Sequence, residues 1–300
     1  MTFNLRKIRL YKLTSFDAGE EMAMDRVLCR LEDGVADVRL NRPGKLNALD
    51  DTMFAELIEV GERLRHEPGL RAIVLSGEGR AFCAGLDRTA FQAQADDRPW
   101  RPAAVQDTDG GEAPAPGTGA FDIPGLRLGR GQKAVWVWQV HEVPVIAAVH
   151  GYALGGGLQL ALGADIRLVT PDARMGVLEM GWGLTPDMCG TQILPRLVGL
   201  DVAKELTLTA REVTGEEAVR IGLATRVCAD PREDALSIAA QIAGRNPDAV
   251  RAAKSMLNRA WDDQAMMAGF RAERAFMEQN VGSPHQREAL RAKLGRAARP

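Results

Sequence analysis

HGYALGGGLQLALGAD, residues 150–165, places three consecutive glycines (155–157) at the start of an apolar helix. A strand-like run, PVIAAV at 144–149, precedes this stretch, and a second run, IRLVT at 166–170, follows it. Free N–H groups at a helix N-terminus stabilise negative charge, so the glycines predict a turn that binds a negatively charged oxygen. Close packing of the helix against a strand would explain the glycines equally well.

The same alternation of strands and helices occurs earlier in the chain. Strand-like runs at 26–32 and 35–40 flank an Asp-Gly pair, which predicts a β-hairpin. A helix follows, for which we expect Asn47 as the N-cap, and a buried strand lies within 71–79. The apolar stripe of this helix consists of Met53, Leu57, Val60 and Leu64. The pattern predicts an α/β protein with strands and helices in layers.

The sequence changes character near residue 200. Beyond that point one helical pattern follows another, and three pairs of residues are typical helix N-termini: Thr214 with Glu217, Asp230-Pro231 and Asn246-Pro247. We therefore divide the 300 residues into an N-terminal tail (1–24), a core (25–200) and a helical C-terminal module (201–300).

Residues 88–133 differ from the rest of the predicted core. They contain five prolines and seven glycines among 46 residues, with few aliphatic side chains. This composition is typical of mobile segments, so we expect a flexible insertion. Such an insertion would act either as a lid over a site or as an inert loop.

The charged side chains nearly cancel, with 38 basic and 40 acidic residues and a net charge of -2. This balance argues against nucleic acid or a membrane as a partner, and no apolar run approaches the roughly 20 residues that cross a bilayer. The four cysteines form no CxxC spacing and the four histidines no HxxxH pair, so we expect no metal site and no disulfide framework. Free thiols favour a reducing cytoplasm.

A second glycine turn lies in GEGRAFCAGLD, residues 77–87. Small residues at Ala84 and Gly85 would let a ligand approach the backbone N–H of Leu86. If this N–H and one from the glycines at 155–157 converge on one oxygen, they form an oxyanion hole. Each donor of that kind typically stabilises a transition state by roughly 3–4 kcal/mol.

Four segments together resemble the crotonase (enoyl-CoA hydratase/isomerase) superfamily: NRPGKLNAL, GRAFCAGLD, PVIAAVHGYALGGG and GLTPDMCGTQILPRLVG. The resemblance extends over roughly residues 26–300. It implies a crotonase-like spiral of β-β-α repeats with a helical C-terminal oligomerisation module, assembled as a homotrimer or hexamer. It also implies an acyl-CoA substrate whose thioester enolate is stabilised by the N–H groups of Leu86 and Gly156.

The resemblance further implies where coenzyme A would bind. CoA enters as part of the substrate thioester, and no separate cofactor is expected. Its adenosine end would lie along two backbone segments, with Gly155 in the oxyanion turn nearby. The residues expected in this substrate site are Lys45, Asn47, Ala48, Ala84, Gly85, Asp87 and Gly155.

The acid and base residues would decide the reaction. Hydratases of this superfamily carry two glutamates, and the matching positions here are Gln159 and Glu179. Gln159 lies on a helix that is apolar on every face, so we expect it to be buried and hydrogen-bonded. Its amide can orient a water or a carboxylate but cannot take a proton. Glu179 is then the expected base, with a solvated turn carboxylate as the alternative.

Asp187 follows Glu179 by eight residues, a spacing that resembles the dienoyl-CoA isomerases. Equally, Asp187 could be the N-cap of a helix that starts after it. A single glutamate at position 179 also resembles the 3,2-enoyl-CoA isomerases. The sequence therefore favours an acyl-CoA enzyme that isomerises double bonds. The alternatives are an enoyl-CoA hydratase and a non-catalytic member of the superfamily that associates with CoA or RNA.

Overall fold

The computed structural model describes residues 21–87, 128–259, 270–271, 274–275, 277–278 and 281–297. It contains ten strands: β1 (Glu21–Ala23), β2 (Val27–Glu32), β3 (Val35–Leu40), β4 (Ala72–Gly77), β5 (Val145–Val149), β6 (Tyr152–Leu154), β7 (Ile166–Val169), β8 (Arg174–Gly176), β9 (Val213–Thr214) and β10 (Arg226–Val227). Seven of them form one sheet in the order β1-β2-β3-β4-β5-β7-β10, and the second sheet has the order β6-β8-β9. In the large sheet, β1, β2 and β3 are antiparallel and every pair from β3 onward is parallel.

Helices cover the large sheet, as the predicted α/β class requires. The helices of the described residues are α1 (Asp51–Arg65), α2 (Arg130–Gln139), α3 (Gly156–Leu162), α4 (Gly190–Val198), α5 (Leu200–Thr209), α6 (Gly215–Arg220), α7 (Pro231–Ala243), α8 (Pro247–Arg259) and α9 (Pro284–Ala297). Two short 3-10 helices, Pro43–Lys45 and Glu179–Trp182, lie in the connections.

Local sequence signals explain several of these elements. Asp33 (φ 49°) and Gly34 (φ 77°) form the predicted hairpin turn, since positive φ at both central residues matches the twist of the two strands. The apolar stripe of α1 is buried as predicted. The predicted N-cap of α1 is wrong, because Asp50 and not Asn47 accepts the N–H of Met53, at 2.8 Å. Asn47 lies in a left-handed turn too far upstream to reach the first turn of the helix.

The predicted tail ends too late. Residues 21–23, assigned to the tail, form the edge strand β1, which pairs antiparallel with β2. The rest of the tail, residues 1–20, lies outside the described residues.

The end of the predicted insertion is also wrong. Most of 88–133 lies outside the described residues, but Leu128 is buried and α2 begins at Arg130. The helix is held by its own capping contact, since the N–H of Gly129 donates to the Gln132 side chain at 3.1 Å. The two glycines at 129 and 131 made these positions look like part of the loop.

Elements beyond residue 200 join the same core as those before it. The strand β10 pairs with β7 in the large sheet, and β9 pairs with β8 in the small one. Ala235 and Ala239 of α7 pack against the sheet face formed by Val74, Ile146, Ala148 and Leu168. The division at residue 200 remains a prediction about domains. The part of the chain beyond it is mainly helical, as predicted, and also contributes these two short strands.

Candidate active site

Two chain segments run side by side at the carboxyl end of the large sheet. The N–H of Phe82 donates to the carbonyl of His150 at 2.9 Å, and the N–H of Leu154 donates to the carbonyl of Cys83 at 3.1 Å. This pairing brings the two glycine turns together. A Cβ on Gly85 would lie 2.5 Å from the carbonyl oxygen of Leu154 and 3.6 Å from the nitrogen of Gly156.

The two predicted oxygen-binding N–H groups, of Leu86 and Gly156, lie in this region. Leu86 forms a parallel bridge with Leu49, in which the neighbouring Gly85 carbonyl and Asp87 N–H make the hydrogen bonds. Gly156 is the first residue of α3, so its N–H has no partner within the helix. No backbone hydrogen bond joins either N–H to another described residue. Two neighbouring donors in this state are suited to bind one negatively charged oxygen.

The structure gives a separate reason for two of the three consecutive glycines. Gly155 has φ 54° and ψ -123°, a conformation that L side chains rarely adopt. A Cβ on Gly155 would lie 3.3 Å from Oε1 of Glu179, so this glycine lets the carboxylate approach the turn. A Cβ on Gly157 would lie 2.2 Å from the carbonyl oxygen of Cys83, so that glycine permits close packing.

Glu179 begins the 3-10 helix at 179–182 and is only 9% exposed. Its Oε1 accepts a hydrogen bond from Nε2 of Gln159 at 2.7 Å. Its Oε2 is buried and has no hydrogen-bond partner among the described residues. Burial raises the pKa of the Glu179 carboxyl to about 7, although the hydrogen bond from Gln159 opposes the rise. The alternative of a solvated turn carboxylate is therefore wrong.

Gln159 is fully buried and hydrogen-bonded at both ends, as predicted. Its Oε1 accepts the backbone N–H groups of Met188 and Gly190, each at 3.0 Å. These two donors identify which end of the amide is the oxygen, so Nε2 must face Glu179. The glutamine thus connects α3, the 3-10 helix at 179–182 and the start of α4.

Asp187 is partly exposed and does not cap α4. That helix begins at Gly190, and its N-cap is Cys189 in a left-handed conformation with φ 67°. The capping alternative for Asp187 is therefore wrong, and its catalytic role stays a prediction.

The segments expected to hold CoA are tied to each other, because the N–H of Ala84 donates to the carbonyl of Leu46 at 2.9 Å. The Asn47 side chain is buried and binds backbone groups, donating to the carbonyls of Glu78 at 2.9 Å and Ala81 at 2.8 Å. Lys45 is exposed, whereas Ala48 and Asp87 are buried. Contact of these residues with CoA stays a prediction.

Sequence reasoning missed Arg42. Its guanidinium binds the Asp87 carboxylate at 2.6 Å and the carbonyl of Ala48 at 3.0 Å, which holds the two segments in register. An arginine next to a proline in a turn gives no periodic signal. Only the buried aspartate in AGLD, which needs a partner, could have indicated it.

Sequence reasoning also missed an apolar cluster beside the site. It contains Leu86, Trp182 and Leu184 from the core and Met277, Val281 and Leu290 from the C-terminal part of the chain. Leu86 carries one candidate oxygen donor, and Trp182 ends the 3-10 helix that begins at Glu179. The C-terminal part of the chain therefore packs against both segments of the candidate site. The contact joins residues about 90 to 200 positions apart, which no local pattern reports.

The described residues hold neither a cluster of metal ligands nor a membrane-spanning helix. They contain no group of three His, Cys, Asp or Glu side chains that could hold a metal ion. None of the helices in the described ranges is both long and apolar enough to span a membrane.

The family model for enoyl-CoA hydratase/isomerase matches residues 30–106 and 131–296. The chain belongs to the enoyl-CoA hydratase/isomerase family. The gap between the two matched stretches, residues 107–130, lies within the predicted insertion. A relative in the family, the short-chain-enoyl-CoA hydratase of Clostridium acetobutylicum, is 35% identical over 79% of this chain and 83% of its own length.

Further similar proteins include one named as an isomerase and one whose crystal structure is known. The mitochondrial Delta(3,5)-Delta(2,4)-dienoyl-CoA isomerase of Mus musculus is 32% identical over 73% of this chain and 64% of its own length. The crystal structure of an enoyl-CoA hydratase/isomerase from Xanthobacter autotrophicus Py2 has a TM-score of 0.74 at 30% identity, covering 93% of this chain and all of that one. The crotonase fold is thereby confirmed, and the chain is an enzyme of the hydratase/isomerase type.

Proposed function

We propose that this enzyme moves a carbon–carbon double bond in an acyl-CoA thioester. Glu179 would remove a proton from the acyl chain and return it to another carbon. The N–H groups of Leu86 and Gly156 would stabilise the enolate oxygen formed in between. Coenzyme A is part of the substrate in this proposal, and no further cofactor takes part.

The buried Glu179 carboxyl is the observation that carries the proposal. It lies against Gly155, next to the turn that presents the N–H of Gly156. A carboxylate of ordinary pKa is a weak base toward a carbon acid, and its acid form is scarce at neutral pH. A pKa of about 7 makes both forms available, as a group that first takes and then returns a proton requires.

Gln159 is the reason to favour isomerisation over hydration. Water addition needs one group to activate water and another to deliver a proton to carbon. Gln159 occupies the first of the two glutamate positions implied by the family resemblance, and an amide cannot transfer protons at neutral pH. The hydratase alternative is supported by the name of the relative from Clostridium acetobutylicum.

A substrate panel tests the proposal. Purified enzyme would be given 2-enoyl-, 3-enoyl- and 3,5-dienoyl-CoA separately, with ultraviolet absorbance reporting changes in conjugation. We expect turnover of the 3-enoyl or the dienoyl thioester to exceed hydration of the 2-enoyl thioester. Faster hydration would reverse the preference and support the hydratase.

The variant Glu179→Gln tests the base itself. It keeps the size of the side chain and an oxygen that can accept from Gln159, but it cannot take a proton. We expect the isomerase activity to fall by at least about 1000-fold. Retained activity would remove Glu179 from the mechanism. Salt-dependent RNA binding without turnover of any thioester would favour the non-catalytic alternative.

We also propose a homotrimer or hexamer acting in a reducing cytoplasm. All four cysteines are free thiols, and Cys29, Cys83 and Cys189 are buried, which supports a reducing compartment. Analytical ultracentrifugation would test the assembly. A monomer at micromolar concentration would contradict it.

A further inference from the structure

The amide of Gln159 has only one orientation that satisfies its contacts. Its Oε1 lies 3.0 Å from two backbone nitrogens, of Met188 and Gly190, and its Nε2 lies 2.7 Å from Oε1 of Glu179. If the amide turned over, its NH2 group would face two N–H donors and its oxygen would face a carboxylate oxygen. The backbone therefore sets the direction in which Gln159 donates.

The two backbone donors converge because of the residue between them. Cys189 has φ 67°, and a left-handed residue at this point directs the N–H groups on either side to one spot, as in an anion-binding nest. The nest lies at the N-terminus of α4, where the helix dipole adds positive potential. An amide oxygen held there is polarised, which strengthens the donation from Nε2 on the other side of the group.

The two oxygens of Glu179 consequently differ. Oε1 is held by the hydrogen bond from Gln159 and lies next to Gly155. Oε2 is buried and has no partner among the described residues. We propose that Gln159 is a positioning residue that holds Oε1 of Glu179, so that Oε2 alone removes and returns the substrate proton. This inference rests on the proposed function.

The proton balance follows from this assignment. In a 3-enoyl thioester, the C2–H bond breaks, the proton goes to Oε2, and the electron pair forms the dienolate whose oxygen faces the two N–H donors. The Oε2–H bond then breaks, the proton forms a C4–H bond, and the double bond lies between C2 and C3. A single oxygen serves one face of the chain, and a buried proton exchanges slowly with solvent. Part of the hydrogen from C2 should therefore arrive at C4.

An isotope experiment tests the assignment. The enzyme would isomerise 3-enoyl-CoA deuterated at C2 in ordinary water, and mass spectrometry would measure deuterium at C4 after a single turnover. We expect the wild type to transfer part of the label. We expect Gln159→Met, of similar length but without donor or acceptor, to transfer less. Complete loss of label in the wild type, or equal transfer by both enzymes, would overturn the proposal.

The pH profile of kcat/KM separates positioning from support of the fold. Gln159→Met removes both the contact with the nest and the donation to Glu179. We expect the midpoint to rise by about one pH unit in this variant, since it loses a hydrogen bond that favours the ionised Glu179. A purely structural role would lower the stability of Gln159→Met and leave its midpoint unchanged.

A matched control is available in Gln132, another buried glutamine, which donates to the carbonyl of Phe270 at 3.2 Å. Gln132→Met should lower stability without moving the midpoint or the label transfer, and a shift there would count against the assignment. If no thioester is isomerised, the proposed function fails. The effect of Gln159 on Glu179 is then still measurable, because Gln159→Met should raise the pH at which Glu179 ionises in unfolding experiments.

Discussion

Replacing Glu179 with glutamine should make the protein more stable at neutral and alkaline pH. The carboxyl has an ordinary pKa of 4.5, which burial raises to about 7 in the folded protein. A raised pKa in an acid means that folding disfavours the charged form. The stabilising contribution of the protonated group is therefore complete below about pH 4.5 and is lost as the pH rises to about 7. Glutamine at this position does not titrate.

The size of the effect follows from the shift. Each pKa unit corresponds to 1.36 kcal/mol, so a rise from 4.5 to about 7 corresponds to about 3 kcal/mol. The wild type should lose this amount relative to Glu179→Gln across the titration. Part of the change has already occurred by pH 5, so we expect the difference between the two proteins to grow by about 2–3 kcal/mol between pH 5 and 8.5.

Urea unfolding at a fixed protein concentration, at five or six pH values in this range, measures the difference. Glu205→Gln is a suitable control, because Glu205 is exposed and its hydrogen bond with Arg211 lowers its pKa. That control should show almost no pH dependence between pH 5 and 8.5, because a lowered pKa places the titration of Glu205 below this range. A difference between wild type and Glu179→Gln that stays constant with pH would refute the argument. It would mean that Glu179 ionises in the folded protein as it does in water.

Three further predictions concern activity and local structure. The kcat/KM for isomerisation should rise with pH through a midpoint near 7, because the ionised form of Glu179 acts as the base; a flat profile from pH 5 to 9 would contradict this. Gly155→Ala should abolish turnover and lower the free energy of unfolding by about 1–2 kcal/mol. Gly69→Ala is also at positive φ but has no atom near the new Cβ, so it should lower the free energy of unfolding by a similar amount and leave turnover intact. Asp230→Ala should lower the free energy of unfolding by about 1 kcal/mol, since it caps α7 through two N–H groups, and equal stability would exclude that role.

Local patterns predicted most of the secondary structure. The Asp33-Gly34 hairpin, the apolar stripe of α1 and the start of α7 after Asp230 each depend on a few adjacent residues. The wrong N-cap prediction concerns a stretch in which local rules allow more than one residue to cap the helix. Both Asn47 and Asp50 are good N-cap residues, and only the turn before the helix decides between them.

The residues of the candidate site could be predicted from the sequence, but the hydrogen bonds between them could not. The glycine turns and Glu179 could be recognised from motifs, and the burial of Gln159 from the apolar helix around it. No sequence pattern indicates that Gln159 donates to Glu179 or that the Met188 and Gly190 amides receive its oxygen. These contacts join residues about 20 to 30 positions apart, and they exist only when three elements meet.

By itself, the sequence determined the α/β class, the family and the residues that could carry the chemistry. Each of these depends on residue type and spacing along the chain. Only the tertiary structure decided the state of Glu179, because its pKa depends on how completely the surrounding elements exclude water. The tertiary structure also decided the direction of the Gln159 amide, since the backbone of a distant turn supplies the two donors that orient it.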